Sequence, residues 1–285
     1  MNPSELIFST RSGDIAALEW GAGNSHLILA LHGWLDNAAS FSQLAPLLAE
    51  QDYHVIAIDF PGHGRSHHRA VGHHYAFIDY LLDIQPIFDQ LTQPFTVVAH
   101  SMGAAIASMY VAAYPKAVDK LVLIENLGAI PPYQQGEATA KLRSSLDEWR
   151  RHSLKHQRHY PSISHAIKAR QKATPIPTEI LRPMIERGLS KTIQGYQWRT
   201  DKRLRLSSLV RLDEQQIQEF LAAIEVPTQL ILAEPLTYAM NYPTMTARIE
   251  ALKPTQMDKL AGDHHLHMTQ ADAVADRILH FLTTH

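Results

Sequence analysis

Ser101 is the residue in this chain best placed for covalent chemistry. It lies in Phe95 to Pro115, FTVVAHSMGAAIASMYVAAYP, where a β-branched apolar run ends at HSMG and an Ala-rich helical stretch begins. A strand that turns sharply into a helix strains the backbone of the Ser at the corner and lifts its Oγ off the sheet edge. The helix N-terminus then points at that oxygen. The pentapeptide reads AHSMG, with Ala99 where the usual G-x-S-x-G pattern has its first glycine. Alanine is the smallest substitute, and Gly103 lets the helix pass close to the strand. A Ser so placed attacks acyl carbon once a base takes its proton. The Met102 N–H is a candidate donor to the oxyanion that results. A Ser that merely caps a helix after a strand gives a similar sequence, so the remainder of the chain has to supply the partners.

In chains with this elbow the nucleophile, the acid and the His follow one another in that order. The base is therefore expected after the last strand, where GDHHLHM offers His264, His265 and His267. The chain holds 18 His, so position and not presence carries the argument. HHRAVGHH, His67 to His74, has the density of a metal site but reads as a loop without a set of carboxylate partners, and no metal is expected there.

The elements that must position these groups follow from the hydrophobic pattern. ELIFST and IAALEW are strand candidates on either side of Ser12, Gly13 and Asp14, a hairpin signal. Leu27 to Leu31 is a continuous apolar run of the kind a central parallel strand shows, and it ends at His32, Gly33 and Trp34. A helix is predicted over about 38–50. Val55 to Ile58 is a second buried strand, ending at Asp59 and a Pro/Gly loop; a helix over about 77–91 precedes the elbow strand. Further strands are predicted at KLVLIE (Lys120 to Glu125), PTQLILAE (Pro227 to Glu234) and TQMDKLAG. Helices are predicted near 243–252 and 271–282. Strands alternating with helices predict a mostly parallel sheet covered on both faces, with its chemistry beyond the carboxyl ends of the strands. His32 to Trp34, Asp59 to Gly64, Ser101 and Glu125 all fall at such ends.

The pattern changes at Asn126. From there to Ile224 no convincing buried strand is found, amphipathic charged helices dominate, and prolines at 131, 132, 161, 175, 177 and 183 interrupt them. We read 126–224 as a helical cap inserted into an α/β core made of 1–125 and 225–285. The cap carries 17 Lys and Arg against 9 Asp and Glu, the core 9 against 19. A solvated helical surface explains such an excess. The sharper reading is a cap that attracts anionic substrates or an acidic carrier protein.

Composition bounds the rest. The 285 residues fit one large domain with an insertion. Hydrophobic residues make up 45% and charged ones 19%, with no apolar run near the ~18 residues of a membrane span. No secretory signal pattern opens the sequence, and there is no Cys for disulfides or thiol chemistry, which together lead us to expect a cytoplasmic protein. The net charge of −2 offers no general attraction to nucleic acid.

LHGW, DFPGHGRS, AHSMG and GDHHLHMTQADAVA occur in the order and spacing of the α/β-hydrolase fold. LHGWLDNAASFSQLAPLL and LVLIENLG resemble the serine hydrolase-like proteins, relatives of haloalkane dehalogenases, epoxide hydrolases and carbon–carbon bond hydrolases. The resemblance implies His264 as the base, with His267 behind it and His265 as rival. It implies oxyanion donors at Trp34 and Met102, and a structural turn at Asp59 to Ser66. Most relatives carry an Asp in the loop after the strand matching QLILAE; here that position is Leu236. A subset places a Glu after the strand that follows the elbow helix, which is Glu125, with Glu234 as the alternative acid. A Glu ending a buried strand is costly without a partner. The implied activity is hydrolysis of a small-molecule carboxylic ester through an acyl-enzyme, without cofactor or metal. The alternatives are carbon–carbon bond hydrolysis on the same residues, or a binding protein that lost catalysis. With Ser101 where dehalogenases and epoxide hydrolases use Asp, those reactions are disfavoured. Trp149, Tyr196 and Trp198 are candidate pocket aromatics.

Overall fold

The computed structural model describes residues 1–91, 94–152 and 158–285. Strands β1 (Ser4–Thr10) and β2 (Gly13–Trp20) form an antiparallel hairpin that closes with Thr10 opposite Gly13. Next come β3 (His26–Leu31), α1 (Leu44–Ala49), β4 (Tyr53–Ile58), α2 (Tyr80–Gln90), β5 (Phe95–His100), α3 (Met102–Ala113) and β6 (Lys120–Ile124). After β6 the chain leaves the sheet through α4 (Ala138–His152), β7 (His159–Tyr160), α5 (Ile163–Gln171), α6 (Thr178–Gly188), β8 (Leu189–Thr192), β9 (Gly195–Trp198) and α7 (Glu214–Ala222). It returns with β10 (Thr228–Glu234), α8 (Met245–Leu252), β11 (Gln256–Ala261), α9 (Leu266–Thr269) and α10 (Ala271–Thr284).

The main sheet has eight strands in the order β1-β2-β4-β3-β5-β6-β10-β11. β2 pairs antiparallel with both β1 and β4; from β4 to β11 every pairing is parallel. Residues alternate between the two faces of each strand. Leu29 and Leu31 of β3 join Val97 of β5 and Leu123 of β6 under α2 and α3. Ile28, Val98 and Ile124 face the other way, against α1 and α10. Both faces are covered, which explains the uninterrupted apolar runs of β3 and β5. Parallel strands all end on one edge, so the residues following β3, β4, β5, β6 and β11 converge there.

The segment between β6 and β10 differs from an all-helical cap. It contains a small antiparallel sheet, β7-β9-β8, whose strands are two to four residues long. Their residues are mostly half-buried, and strands so short and polar leave no periodic hydrophobic signal. Helix α7 opens with a capping box made by Asp213 and Gln216. Its Ile217 and Leu221 pack into the core cluster that includes α3, so α7 lies against the main fold. A buried ion pair ties this segment to the main sheet. Arg187 of α6 donates Nε–H to both oxygens of Asp59 (3.0 and 2.9 Å) and Nη1–H to Glu5. Asp59 also accepts the N–H groups of Ala38 and Arg65, each at 2.7 Å.

Candidate active site

Among the described residues five other than Gly have left-handed backbone, and three of them lie at carboxyl ends of adjacent strands: Leu35 (φ 63°), Ser101 (φ 50°) and Glu125 (φ 53°). Such strain costs about 1–3 kcal/mol per residue and gathers where a site is being shaped. Ser101 takes it at the corner between β5 and α3, with ψ −116°. Its N–H is held by the Ile124 carbonyl. Gly103 follows because a Cβ there would lie 2.4 Å from the Leu31 carbonyl oxygen.

Glu125 turns its carboxylate back under the sheet edge. One oxygen accepts the Ala233 N–H (2.6 Å), and the other accepts the Thr237 hydroxyl (2.6 Å). That second oxygen also accepts Nδ1–H of His264 at 3.2 Å, and Nε2 of His264 accepts the Ser101 hydroxyl at 2.9 Å. A carboxylate only accepts, so the tautomer follows: the imidazole proton sits on Nδ1 and the lone pair faces Ser101. Ser101, His264 and Glu125 thus form one continuous hydrogen-bond chain. Glu125 is 1% exposed. Glu234, the alternative acid, ends β10 with an exposed side chain, and Leu236 is 41% exposed. Thr237 was not anticipated. It stands in the loop where an Asp was expected and supplies a hydroxyl to the Glu from the neighbouring strand.

The loop after β3 completes the edge. His32 donates Nδ1–H to Gly33 O (2.7 Å) and accepts the Phe60 N–H on Nε2. His63 accepts the Leu35 N–H on Nε2 (3.1 Å), which holds Leu35 in its unusual conformation. Burial lowers the pKa of His32 to about 4 and that of His63 to about 3, so both stay neutral and keep the acceptors these N–H groups need. The Trp34 indole donates to the Leu204 carbonyl at 2.9 Å. Among the described residues no acceptor pairs with the backbone N–H of Trp34 or of Met102.

The other two late histidines do not touch Ser101. His265 lies 3.5 Å from Asp36 through Nε2. His267 is buried between the rings of Phe41 and His100, and burial brings its pKa down to about 3. Trp149 sits by His74, and Trp198 donates to the Tyr160 hydroxyl. Trp198 also lines a cavity of about 330 Å³ along with Ser66, Ser190, Arg199 and Thr200. Ser101, His264 and Glu125 do not line it. In the His-rich loop, Arg203 donates to the carbonyls of Arg69, Ala70 and His73. Among the described residues no group of three or more His, Asp or Glu is arranged to hold a metal ion, and no helix is long and apolar enough to cross a membrane.

Residues 26–233 match the family model described as alpha/beta hydrolase fold, and the chain belongs to that family. It is 28% identical to a serine hydrolase-like protein of Danio rerio, over 98% of this chain and 88% of the relative. Among solved structures, a hypothetical protein from Pseudomonas aeruginosa PAO1 superposes with a TM-score of 0.90 at 36% identity, covering 98% of this chain and 99% of the other. The thioesterase domain from the curacin biosynthetic pathway superposes with a TM-score of 0.85 at 27% identity, covering 98% of this chain and all of the other. Family and relatives support a hydrolase.

Proposed function

We propose that the chain is a serine hydrolase that cleaves a small-molecule carboxylic ester or thioester through an acyl-enzyme. The observation that supports this reading best is the unbroken chain Ser101–His264–Glu125, with a lone pair of the imidazole turned to the hydroxyl. Ser101 attacks the acyl carbon as His264 Nε2 takes its proton, and Glu125 steadies the imidazolium through Nδ1–H. The N–H groups of Trp34 and Met102 receive the oxyanion. His264 then protonates the leaving alcohol or thiol, and water repeats the sequence to release the acid. Each step is proton transfer or acyl transfer, for which these residues suffice. The thioester extension draws on the resemblance to the thioesterase domain. The cap, with 17 Lys and Arg against 9 Asp and Glu, favours an anionic substrate.

Labelling by a fluorophosphonate probe, together with turnover of p-nitrophenyl esters and acyl thioesters, tests the proposal. Ser101→Ala should abolish labelling and lower turnover about 10⁶-fold, as removal of the nucleophile does when a triad acts as a unit. A parent protein that neither labels nor turns over any of these, indistinguishable from Ser101→Ala, would overturn it in favour of a binding protein.

A further inference from the structure

Behind His264 lies a buried group of charges and imidazoles that the acyl-transfer scheme leaves unused. Asp36, 2% exposed, ends the loop that carries Trp34. Its Oδ1 accepts Arg170 of α5, in the cap, at 2.7 Å. Its Oδ2 lies 3.5 Å from His265 Nε2 and 3.9 Å from His100 Nδ1. His100 in turn donates Nε2–H to the carbonyl oxygen of His264 at 2.7 Å, and the two rings are 4.9 Å apart. Because the His100 proton is spent on that carbonyl, its buried Nδ1 has no hydrogen-bond partner and turns a lone pair to the carboxylate. Packing leaves no slack: a Cβ on Gly33 would lie 2.8 Å from His100 Nδ1 and 3.1 Å from Asp36 Oδ2.

We propose that Asp36 is a positioning and electrostatic residue for His264, and that Arg170 of the cap controls how much of the Asp36 charge the imidazole feels. This rests on the reading of His264 as the base. The carboxylate is one imidazole away from His264 along two routes, through His100 and through His265, whose ring is 5.4 Å from that of His264. A fixed anion at this distance favours the imidazolium that forms when Ser101 gives up its proton. Arg170 offsets that anion. Since Arg170 belongs to the cap, any displacement of α5 changes the balance at the base without touching the triad. Burial pushes the Asp36 carboxyl up, but His265 and Arg170 together outweigh it and hold it ionised below the usual carboxylate range. The other groups that face His264 are Glu125 from the end of β6, Ser101, and His267 and Asp263 on its own loop. Asp263 accepts the His265 N–H at 2.8 Å. All of these are common to the variants below.

The test is an NMR titration of the His264 ring in protein with isotopically labelled histidine, which needs no turnover. The parent is compared with Asp36→Asn, Arg170→Gln and the double variant. Removing the anion should move the His264 titration to lower pH, and removing the cation should move it to higher pH. The displacement is on the order of one pH unit for a charge one imidazole removed at an effective dielectric near 20. The double variant should return close to the parent. A role in packing alone would not give opposite displacements that cancel. Shifts in the same direction, or none in Arg170→Gln, would overturn the proposal. If Asp36→Asn does not fold, Arg170→Gln, on the outer side of the pair, still decides it. Ester turnover against Ser101→Ala tests the catalytic reading separately. An inactive parent with opposite shifts would refute that reading and leave the charge coupling standing.

Discussion

Replacing Glu125 by Gln removes one charge and one proton acceptor while keeping the shape of the side chain. Glu125 accepts three hydrogen bonds, from Ala233 N–H, Thr237 O–H and His264 Nδ1–H. The amide of Gln keeps the first through its oxygen, and its NH₂ can donate to the Thr237 hydroxyl, so the fold should survive with a loss of about 1 kcal/mol, the worth of one hydrogen bond. At His264 the consequence is different in kind. The same NH₂ points at Nδ1, which must then accept, and the ring proton moves to Nε2. An Nε2–H facing Ser101 at 2.9 Å cannot take the hydroxyl proton. The wrong tautomer costs about 10⁴-fold in kcat where this has been done in a comparable triad, or about 5.4 kcal/mol of transition-state stabilisation. KM should change little, because the lost interaction grows only as the imidazolium forms. The paired control is Glu234→Gln at the exposed end of β10, where a surface substitution should alter turnover by no more than about twofold. Both variants are assayed with p-nitrophenyl esters and checked by thermal melting. The reasoning is refuted if Glu125→Gln keeps more than about a tenth of parental kcat, or if Glu234→Gln suffers the large loss instead.

Acid should unfold the protein by way of its buried histidines. Folded His32, His63 and His267 titrate at about 4, 3 and 3 against 6.5 when free, so the unfolded chain binds more protons between those values. Stability is therefore complete above about pH 6.5 and declines as pH falls toward 4, by roughly 3 kcal/mol per residue, enough together to consume the stability of an ordinary domain. Urea midpoints at pH 7, 6, 5 and 4.5 read this directly, and an unchanged midpoint down to pH 4.5 contradicts it. Gly103→Ala forces a Cβ to within 2.4 Å of a backbone oxygen that has no room to yield. It should cost about 1–3 kcal/mol by overpacking and lower turnover by shifting Ser101, whereas parental stability and activity would show that the elbow has slack.

Much of the architecture is legible because it is local. The apolar runs at Leu27–Leu31 and Phe95–Ala99 announce strands covered on both faces, and the structure puts them side by side as β3 and β5. The small residues around Ser101 announce the corner. Elements predicted near 243–252 and 271–282 lie at Met245–Leu252 and Ala271–Thr284. What escapes is what depends on pairs far apart in the chain. Thr237 reaches Glu125 from 112 residues away, and Arg170 reaches Asp36 from 134. The small β7-β9-β8 sheet escapes for another reason: its strands are too short and too polar to impress a period on the sequence.

By itself, the order of residue types determined a mostly parallel sheet whose strand ends carry a hydroxyl, imidazoles and carboxylates, because side-chain periodicity and turn chemistry act over a few neighbours. Which carboxylate meets His264 was decided by the tertiary structure. Glu125 follows β6 and Glu234 ends β10, and they differ in burial and in hydrogen-bond partners. Glu125, with φ 53° just past β6, turns inward beneath the imidazole, and Glu234 at the end of β10 stays in solvent.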